Sequence, residues 1–428
     1  MKKVLIITYY WPPSGGPGVQ RWLKFTKYHP DYGIEPIVLT VDPTLASYPQ
    51  KDESLVSEVS DTCKIFYTRT FELYNLYKFL LRKKEIPFGG FANEKEPGLL
   101  QKTIRFFRSH LLIPDPRKGW NKFAYQKAVE LINRYNIDTV ITTSPPHSTQ
   151  LIGLRLKDKL TIKWIVDLRD PWTDIYYYKS LYHSWLSSKI DKHLEKKVLA
   201  NADKIITVSN DLKEIFTEKL AVTRNDNIFV IPNGFDTSDF DYSIQPGRDE
   251  FLITYTGTLT EDYRIESFLR VLKKFSLSKP RLKVRLIGKI HENIITKITN
   301  YQLEKYIEVM GYVSHNLSIQ SLLESHALLL IIPDVEKNKG ILTGKLFEYI
   351  GAGRPIIGLG PATGDAAKII DESKTGKMFD YSNKDETFEY LCTLYNNFLK
   401  GDVIMGLSPL NLQYSRKELT KVLVDHCF

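Results

Sequence analysis

Short apolar runs alternate with longer amphipathic segments along the first half of the chain. Runs rich in β-branched residues end in polar or proline-containing turns, as in KVLIITYY, EPIVLTVD, DTVITTS, KWIVDLRD and KIITVSND. Between them lie helix-length segments such as VQRWLKFTKYH, KFAYQKAVELINRYN and SSKIDKHLEKKVLAN. This alternation predicts an α/β fold in which a parallel sheet carries helices on both faces.

Residues 228–251 predict one more strand, IFVIP, followed by a turn-rich polar stretch, after which a second series of strand-like runs begins. Its members are FLITYTGTL, KVRLIGKI, YIEVMGYV, ALLLIIPD and RPIIGLG. We therefore predict two Rossmann-like domains, at residues 1–228 and 229–408. The last segment, 409–428, carries a lone amphipathic helix with no strand after it, which leaves open its return to the first domain.

Composition agrees with a globular chain of two domains. The 428 residues suffice for two domains of roughly 200 residues each, and 43% are hydrophobic and 25% charged. The opening apolar run is too short for a signal peptide, and no window reaches the roughly 18 apolar residues of a membrane span. We expect a cytoplasmic protein.

The formal charge of +9 implies an anionic partner, for which nucleic acid, a phosphorylated substrate and anionic lipid are all options. No nucleic-acid recognition module is evident, so we expect no nucleic-acid partner. Residues 71–123 interleave aromatic and aliphatic residues with Arg and Lys, which suits a helix in an anionic membrane interface. An ordinary amphipathic helix packed on its own domain explains the same pattern.

The stretch GILTGKLFEYIGAGRPIIG, residues 340–358, carries the strongest chemical signal. Thr343 can cap a helix whose free N–H groups, with that of Gly344, face a phosphate. Lys345 adds a positive charge, and Glu348 lies on the same helix face, where a carboxylate can accept hydrogen bonds from ribose hydroxyls. The alternative is an intrahelical surface pair of lysine and glutamate.

Glycine-rich turns follow two other predicted strands. Gly16 and Gly18 let the backbone approach a ligand closely, although the dinucleotide G-x-G-x-x-G spacing is absent. In the second domain, Gly257 and Thr258 end a strand, and Arg264 could reach a phosphate from the side opposite Lys345. Tyr312 could supply a wall for a base. A plain strand-to-helix turn remains an alternative for the first loop.

Two more strand ends in the first domain carry TTSPPHST and VDLRDPWTD. His147 is either a hydrogen-bonded turn residue or a catalytic group. Asp170 precedes a proline and either organises the turn or faces the reacting hydroxyl or sugar. Neither the histidines nor the Asp239–Asp241 pair, which lies in the predicted hinge, has the setting of a metal site, so we expect no metal.

Together these residues resemble retaining glycosyltransferases of family 4, which have the GT-B fold. The motifs in their expected order are the first glycine-rich loop, ADKIITVSNDLKE, VIPNGFD, YTGTL and GKLFEYIGAGRPII. The RDPW turn is similar to the branch that makes bacterial surface polysaccharides. The resemblance implies two parallel sheets facing an interdomain cleft, a nucleotide-diphosphate sugar held mainly by the second domain, an acceptor on the first, and no metal or cofactor.

The resemblance also suggests roles for individual residues. Glu348 matches the glutamate that contacts ribose, whereas Gly340 stands where many members have another glutamate. Asp170 stands where many members have a histidine. Thr258 and Arg264 replace an arginine and a lysine, so Arg264 and Lys345 would carry the phosphate charge.

The candidate donor-binding residues are therefore Gly16, Gly18, Gly257, Thr258, Arg264, Tyr312, Thr343, Gly344, Lys345 and Glu348. The candidate catalytic residues are Asp170, His147 and Lys345. We expect a cytoplasmic enzyme, peripheral at the inner face of the membrane, that moves a sugar with retention onto a hydroxyl of a glycan or lipid-linked acceptor in O-antigen or capsule-type synthesis. The alternatives are a GT-B epimerase or sugar-phosphate synthase, and a non-catalytic protein that binds a nucleotide sugar or a polyanion.

Overall fold

The computed structural model describes residues 1–72, 110, 112–181, 183–220, 225–242, 244–402 and 406–428. Most of the basic, aromatic stretch 71–123 lies outside the described residues, so the predicted interfacial helix there stays a prediction. The chain forms two compact units, one made of Met1–Pro232 with Thr420–Phe428 and the other of Asn233–Leu419. The sequence places the corresponding boundaries at 228/229 and 408/409.

The first unit contains a seven-stranded parallel sheet in the order β3-β2-β1-β4-β5-β6-β7. Its strands are β1 (Lys2–Ile7), β2 (Ile34–Val41), β3 (Lys64–Thr68), β4 (Thr139–Ser144), β5 (Lys163–Leu168), β6 (Lys204–Thr207) and β7 (Ile228–Val230). Its helices include α1 (Pro17–Tyr28), α2 (Asn121–Tyr135), α3 (Ser148–Lys159), α4 (Trp185–Asn201) and α5 (Asn210–Lys219).

The second unit contains a six-stranded parallel sheet in the order β10-β9-β8-β11-β12-β13. Its strands are β8 (Phe251–Thr256), β9 (Leu282–Ile287), β10 (Ile307–Gly311), β11 (Ala327–Ile331), β12 (Ile356–Leu359) and β13 (Gly376–Phe379). Its helices are α6 (Glu266–Ser276), α7 (Glu292–Asn300), α8 (His315–Leu323), α9 (Gly344–Ala352), α10 (Asp365–Glu372), α11 (Lys384–Lys400) and α12 (Pro409–Leu412). The last helix, α13 (Arg416–Cys427), begins in the second unit and belongs to the first unit from Thr420 onward.

The two parallel sheets confirm the predicted α/β class, and two of their strands were not predicted. Strand β3 lies at a sheet edge and is half exposed, so it has no buried apolar run. Strand β13 has only four residues, GKMF, and also lies at an edge. Both have weak hydrophobic patterns because an edge strand buries less of its surface than a central one.

Glycine lets two helices pack closely, α3 against strand β5 and α9 against the segment that precedes β8. A Cβ on Gly153 of α3 would lie 2.1 Å from the Trp164 indole nitrogen. A Cβ on Gly351 of α9 would lie 2.5 Å from the Phe240 ring and 2.8 Å from that of Phe235. Such contacts leave no room for a methyl group, so these glycines set how near each helix approaches. None of the helices in the described part of the chain is long and apolar enough to cross a bilayer.

Candidate functional site

Each sheet has one point at which the strand order reverses direction. It lies between β1 and β4 in the first unit and between β8 and β11 in the second. Ligands of open α/β sheets bind beyond the carboxyl ends of the strands at such points. In the first unit Gly16 and Gly18 follow β1, His147 follows β4 and Asp170 follows β5.

In the second unit the remaining candidates also follow strand ends. Gly257, Thr258 and Arg264 follow β8, Tyr312 follows β10, and the segment 343–348 follows β11. The candidates Thr343, Gly344, Lys345 and Glu348 thus lie at the reversal point of this sheet.

Helix α9 is fixed to the sheet by its apolar face and by one tyrosine. Its completely buried side chains include Leu346, Phe347 and Ile350. The Tyr349 hydroxyl accepts a hydrogen bond from the Thr256 backbone N–H at 2.9 Å and donates one to the Leu329 carbonyl at 3.3 Å. Tyr349 therefore ties the helix to β8 and β11 together, which holds the helix N-terminus at the strand ends.

Lys345 is held among aromatic rings rather than beside a carboxylate. Its Nζ donates to the Tyr255 hydroxyl at 2.6 Å, and it lies 4.2 Å from the Tyr255 ring centroid and 5.5 Å from that of Tyr263. Burial lowers the Lys345 pKa from 10.5 to about 7, and the charge of Glu348 acts in the opposite direction. Among the described residues no carboxylate forms an ion pair with Lys345. The amine is thus available to an anion from outside the chain.

The turn next to Lys345 depends on glycine. Gly257 has φ of 109°, and a Cβ there would lie 3.5 Å from the Lys345 Nζ. Gly288, with φ of 120°, follows the neighbouring strand, and a Cβ on it would lie 2.3 Å from the Gly257 carbonyl oxygen. L-residues with side chains rarely adopt these positive φ values. The two glycines therefore keep the strand ends free of side chains beside the lysine.

Thr343 occupies the N-cap position of α9, but its hydroxyl makes no capping hydrogen bond, which corrects the predicted cap. The Oγ1 atom is buried and has no partner among the described residues. The first N–H groups of a helix also lack partners within the helix. The Thr343 hydroxyl, the Gly344 N–H at the start of the helix and the Lys345 amine are together chemically suited to a phosphate.

Glu348, one turn along α9, is half buried, and none of the described residues donates a hydrogen bond to its carboxylate. Arg264 is not joined to Lys345 in the described structure. Its side chain is 68% exposed and forms an ion pair with Asp334 at 2.5 Å. Tyr312 is 71% exposed. The predicted phosphate contact of Arg264 and base contact of Tyr312 stay predictions.

In the first unit, Gly18 lies against the side chain of Arg169. A Cβ on Gly18 would lie 2.4 Å from an Arg169 guanidinium nitrogen. Arg169 donates from Nε to the Ser144 carbonyl at 2.8 Å and from Nη2 to that of Pro145 at 3.3 Å. Gly16, with φ of 100°, precedes the first turn of α1. Arg169, which was not among the predicted site residues, thus links three strand ends.

Asp170 and His147 have shifted pKa values. Burial raises the Asp170 pKa, and the Arg169 charge opposes that shift. Burial lowers the His147 pKa to about 3, and the charges of Arg169 and Lys219 act in the same direction. The His147 ring stacks on Trp172 with centroids 4.8 Å apart and planes 11° apart. His147 is therefore neutral near pH 7, where it suits a hydrogen-bonding role better than that of a general base.

Two buried carboxylates on α4 hold the segment after Asp170. The Trp172 indole N–H and the Tyr178 hydroxyl each donate to Asp191 at 2.9 Å. Glu195 accepts from the Thr173 hydroxyl at 2.5 Å and from the Lys219 Nζ at 2.6 Å. Burial raises the Asp191 pKa to about 6. Asp191 and Glu195 were not predicted from the sequence. The signal that could have identified them is their spacing of four along a lysine-rich helix, which places both carboxylates on one face.

A further buried ion pair lies beneath the same strand ends. Asp167 accepts from Arg21 at 3.1 Å, from the Trp22 indole at 2.7 Å and from the Thr143 hydroxyl at 2.7 Å. The side chains of Arg21 and Asp167 are both fully buried. Because its oxygens already have these donors, Asp167 supports the site rather than reacting in it.

Comparisons with known proteins agree with this architecture. Residues 81–239 match the family model described as Glycosyltransferase Family 4, and residues 250–397 match the one described as Glycosyl transferases group 1. None of the curated proteins matches the chain in sequence.

Solved structures resemble the whole chain at low identity. Alr3699/HepE from Anabaena, in complex with UDP, has a TM-score of 0.63 and 12% identity, covering 99% of each chain. Sucrose-phosphate synthase from Thermosynechococcus elongatus has a TM-score of 0.61 and 13% identity, covering 99% of this chain and 98% of its own. The lipopolysaccharide outer core galactosyltransferase WaaB, in its apo form, has a TM-score of 0.57 and 14% identity over 100% and 99%. These likenesses confirm the predicted two-domain α/β fold of the GT-B type.

Proposed function

Because the chain is a glycosyltransferase of the family 4 type, we propose that it moves a sugar from a nucleotide diphosphate to an acceptor hydroxyl with retention of the anomeric configuration. The observation that carries the donor-site assignment is the half-buried Lys345 amine, which has no carboxylate partner among the described residues. It lies beside the unpaired Thr343 hydroxyl at the N-terminus of α9.

The diphosphate would bind at this helix end. Lys345 supplies a full positive charge, and the free N–H groups around Gly344 supply hydrogen bonds and the positive end of the helix dipole. Glu348, whose carboxylate has no donor among the described residues, would accept hydrogen bonds from the ribose hydroxyls. Gly257 and its neighbouring strand end leave room for the diphosphate beside the lysine.

In the proposed reaction the acceptor hydroxyl attacks the anomeric carbon on the face from which the diphosphate leaves. The bond from that carbon to the diphosphate oxygen breaks as the new glycosidic bond forms, and the hydroxyl proton passes to the departing phosphate. Lys345 and the helix N–H groups stabilise the charge that develops on the leaving group. We propose no covalent enzyme nucleophile and expect no metal requirement, because this cluster supplies the positive charge.

The first unit would bind the acceptor. His147, Arg169 and Asp170 lie at adjacent strand ends and offer a neutral ring, a cation and a carboxyl group. Such a mixture suits the hydroxyls of a glycan. We propose a glycan or lipid-linked acceptor of surface-polysaccharide synthesis and a location at the inner membrane face. The name of WaaB, a lipopolysaccharide galactosyltransferase of similar fold, supports an acceptor of this class.

The donor site can be tested by thermal-shift binding without added metal. We would titrate wild type, Glu348→Gln and the exposed control Glu304→Gln with UDP-, GDP-, ADP- and dTDP-sugars. The UDP and UDP-glucose complexes of Alr3699/HepE make the uridine donors the first to try. A ligand at 100 times its Kd stabilises the protein by about 2.7 kcal/mol.

Stabilisation by one nucleotide class that is lost in Glu348→Gln and kept in Glu304→Gln would support the assignment. Equal binding by both variants would remove Glu348 from the donor site. Retention would then be tested by NMR of the anomeric centre in the product, since an inverted product contradicts same-face attack.

A further inference from the structure

The outward face of α4 combines large apolar side chains with lysines. Trp185, Leu186 and Ile190 are 75%, 59% and 43% exposed, although aromatic and aliphatic side chains of this size are usually buried. They occupy the first two turns of the helix. At 100° per residue these positions fall in one arc, opposite the positions that the helix buries.

Four exposed lysines share this arc, namely Lys189, Lys192, Lys196 and Lys197. The carboxylates of the same helix, Asp191 and Glu195, are buried on its inner face. The outer face therefore carries four positive charges and no carboxylate from this helix. The Lys189 Nζ lies 4.9 Å from the Trp185 ring centroid, so apolar and basic groups are adjacent.

We propose that this outer face of α4 rests on the surface of an anionic lipid bilayer. Tryptophan favours the boundary between headgroups and acyl chains, and a helix that lies there places apolar residues inward and lysines toward the headgroup phosphates. A protein partner fits less well, because lysine is depleted in the cores of protein–protein interfaces. The density of lysine along the arc complements a negative surface.

The inner face of the same helix links the bilayer to the acceptor side. Asp191 and Glu195 hold Trp172 and Thr173, and the Trp172 ring stacks on His147. If the outer face of α4 lies on the membrane, its inner face therefore positions the segment around Trp172 and Thr173, beside the proposed acceptor site. This arrangement deepens the proposed function, since it suits an acceptor whose hydrocarbon anchor remains in the bilayer.

Vesicle binding tests the proposal without donor or acceptor, so its result is independent of whether transfer occurs. The full-length protein would be mixed with vesicles of phosphatidylcholine alone or with 30% phosphatidylglycerol, and bound protein measured by flotation. One variant changes Lys192, Lys196 and Lys197 to Gln, and a charge-matched control changes the exposed Lys305, Lys384 and Lys400 of the second unit to Gln. A second variant changes Trp185, Leu186 and Ile190 to Ser, against the exposed control set Leu277, Val309 and Leu399 to Ser.

We expect wild type to bind the anionic vesicles and to be released by added salt. Each lysine near an anionic bilayer raises the partition coefficient about fivefold, so the triple lysine variant should have a partition coefficient on the order of 100-fold lower than wild type. The partition coefficient of the control variant should fall much less. The apolar variant should lose at least about tenfold. Circular dichroism and the melting curve should match those of wild type.

Three results would overturn the proposal. Wild type that fails to float with anionic vesicles at physiological salt excludes lipid as the partner. Variants that bind as well as wild type place the contact elsewhere on the chain. Concentration-dependent association of wild type that the apolar variant abolishes, without vesicle binding, assigns the face to a second copy of the chain.

Discussion

Binding of a nucleotide sugar should be coupled to protonation of Lys345. In the empty site, burial holds the Lys345 pKa at about 7. At pH 8 about one amine in ten is then charged, and at pH 7 about half are. A diphosphate in contact favours the charged form and raises this pKa. The complex should therefore take up about 0.9 proton at pH 8 and about 0.5 at pH 7.

The direction of the pH dependence follows from the same shift. Because the anion binds best to the charged amine, the apparent affinity should fall about tenfold for each pH unit above 7, or about 1.4 kcal/mol per unit. In the empty protein the unfolded chain binds more protons than the native state between about pH 7 and 10.5, so the Lys345 contribution to stability rises with pH across that window. A bound nucleotide sugar should remove this trend.

Isothermal titration calorimetry in two buffers of different ionisation enthalpy measures the uptake directly. The slope of the observed enthalpy against buffer enthalpy is the number of protons bound. A nucleotide sugar is the right ligand, because its diphosphate has no terminal phosphate to titrate near pH 6, unlike a free nucleoside diphosphate.

Three variants separate Lys345 from other groups. Lys345→Met should bind weakly with no uptake. Lys345→Arg should also show no uptake, because a guanidinium stays charged throughout this range, and its affinity should vary less with pH. His147→Gln should leave the slope unchanged, since His147 is already neutral. A zero slope for wild type at pH 8, or a slope that persists in Lys345→Met, would refute the reasoning.

Three substitutions in the first unit test its support of the site. Asp191→Asn weakens the acceptor of an indole N–H and should lower kcat while KM for the donor stays constant, with about 1–3 kcal/mol lost in unfolding free energy; equal kcat would limit Asp191 to stability. In Gly18→Ala the new Cβ would lie only 2.4 Å from the Arg169 guanidinium, so that side chain should move and kcat/KM for the acceptor should fall. An unchanged kcat/KM would contradict this role of Gly18. Asp167→Ala leaves the buried Arg21 without its ion-pair partner and should lower the free energy of unfolding, measured with denaturant, by about 3–5 kcal/mol. A loss of less than about 1 kcal/mol would mean that water reaches the site and replaces the carboxylate.

The sequence pattern predicted the central strands well, for physical reasons, whereas the donor role of the segment around Lys345 stays a prediction. A parallel strand buried on both faces must be a continuous apolar run, so ALLLIIPD is recognisable without a structure. The segment around Lys345 was recognisable because a helix that begins with Gly and Lys amid buried residues has little structural reason to carry that charge. Edge strands such as β3 lack both features.

The polar partners could not be predicted, because they depend on contacts far apart in sequence. Tyr255 meets Lys345 across 90 positions, and Asp167 meets Arg21 across 146. The sequence likewise did not indicate the ion pair of Arg264 with Asp334, and the predicted phosphate contact of Arg264 stays a prediction. Spacing fixes which residues share an element, but the fold decides which charges meet.

The charged side chains of the two units differ in whether they form ion pairs within the chain. Arg21 with Asp167, and Lys219 with Glu195, are ion pairs formed within the first unit, so each member offsets the burial of the other. Lys345 and Glu348 are different, because among the described residues neither has an ion pair with the other or with a third group. Burying an amine that lacks an ion-pair partner lowers its pKa, and that cost is recovered only when an anion binds. For this reason we propose that Lys345, whose burial destabilises the empty site, is the residue that binds the diphosphate.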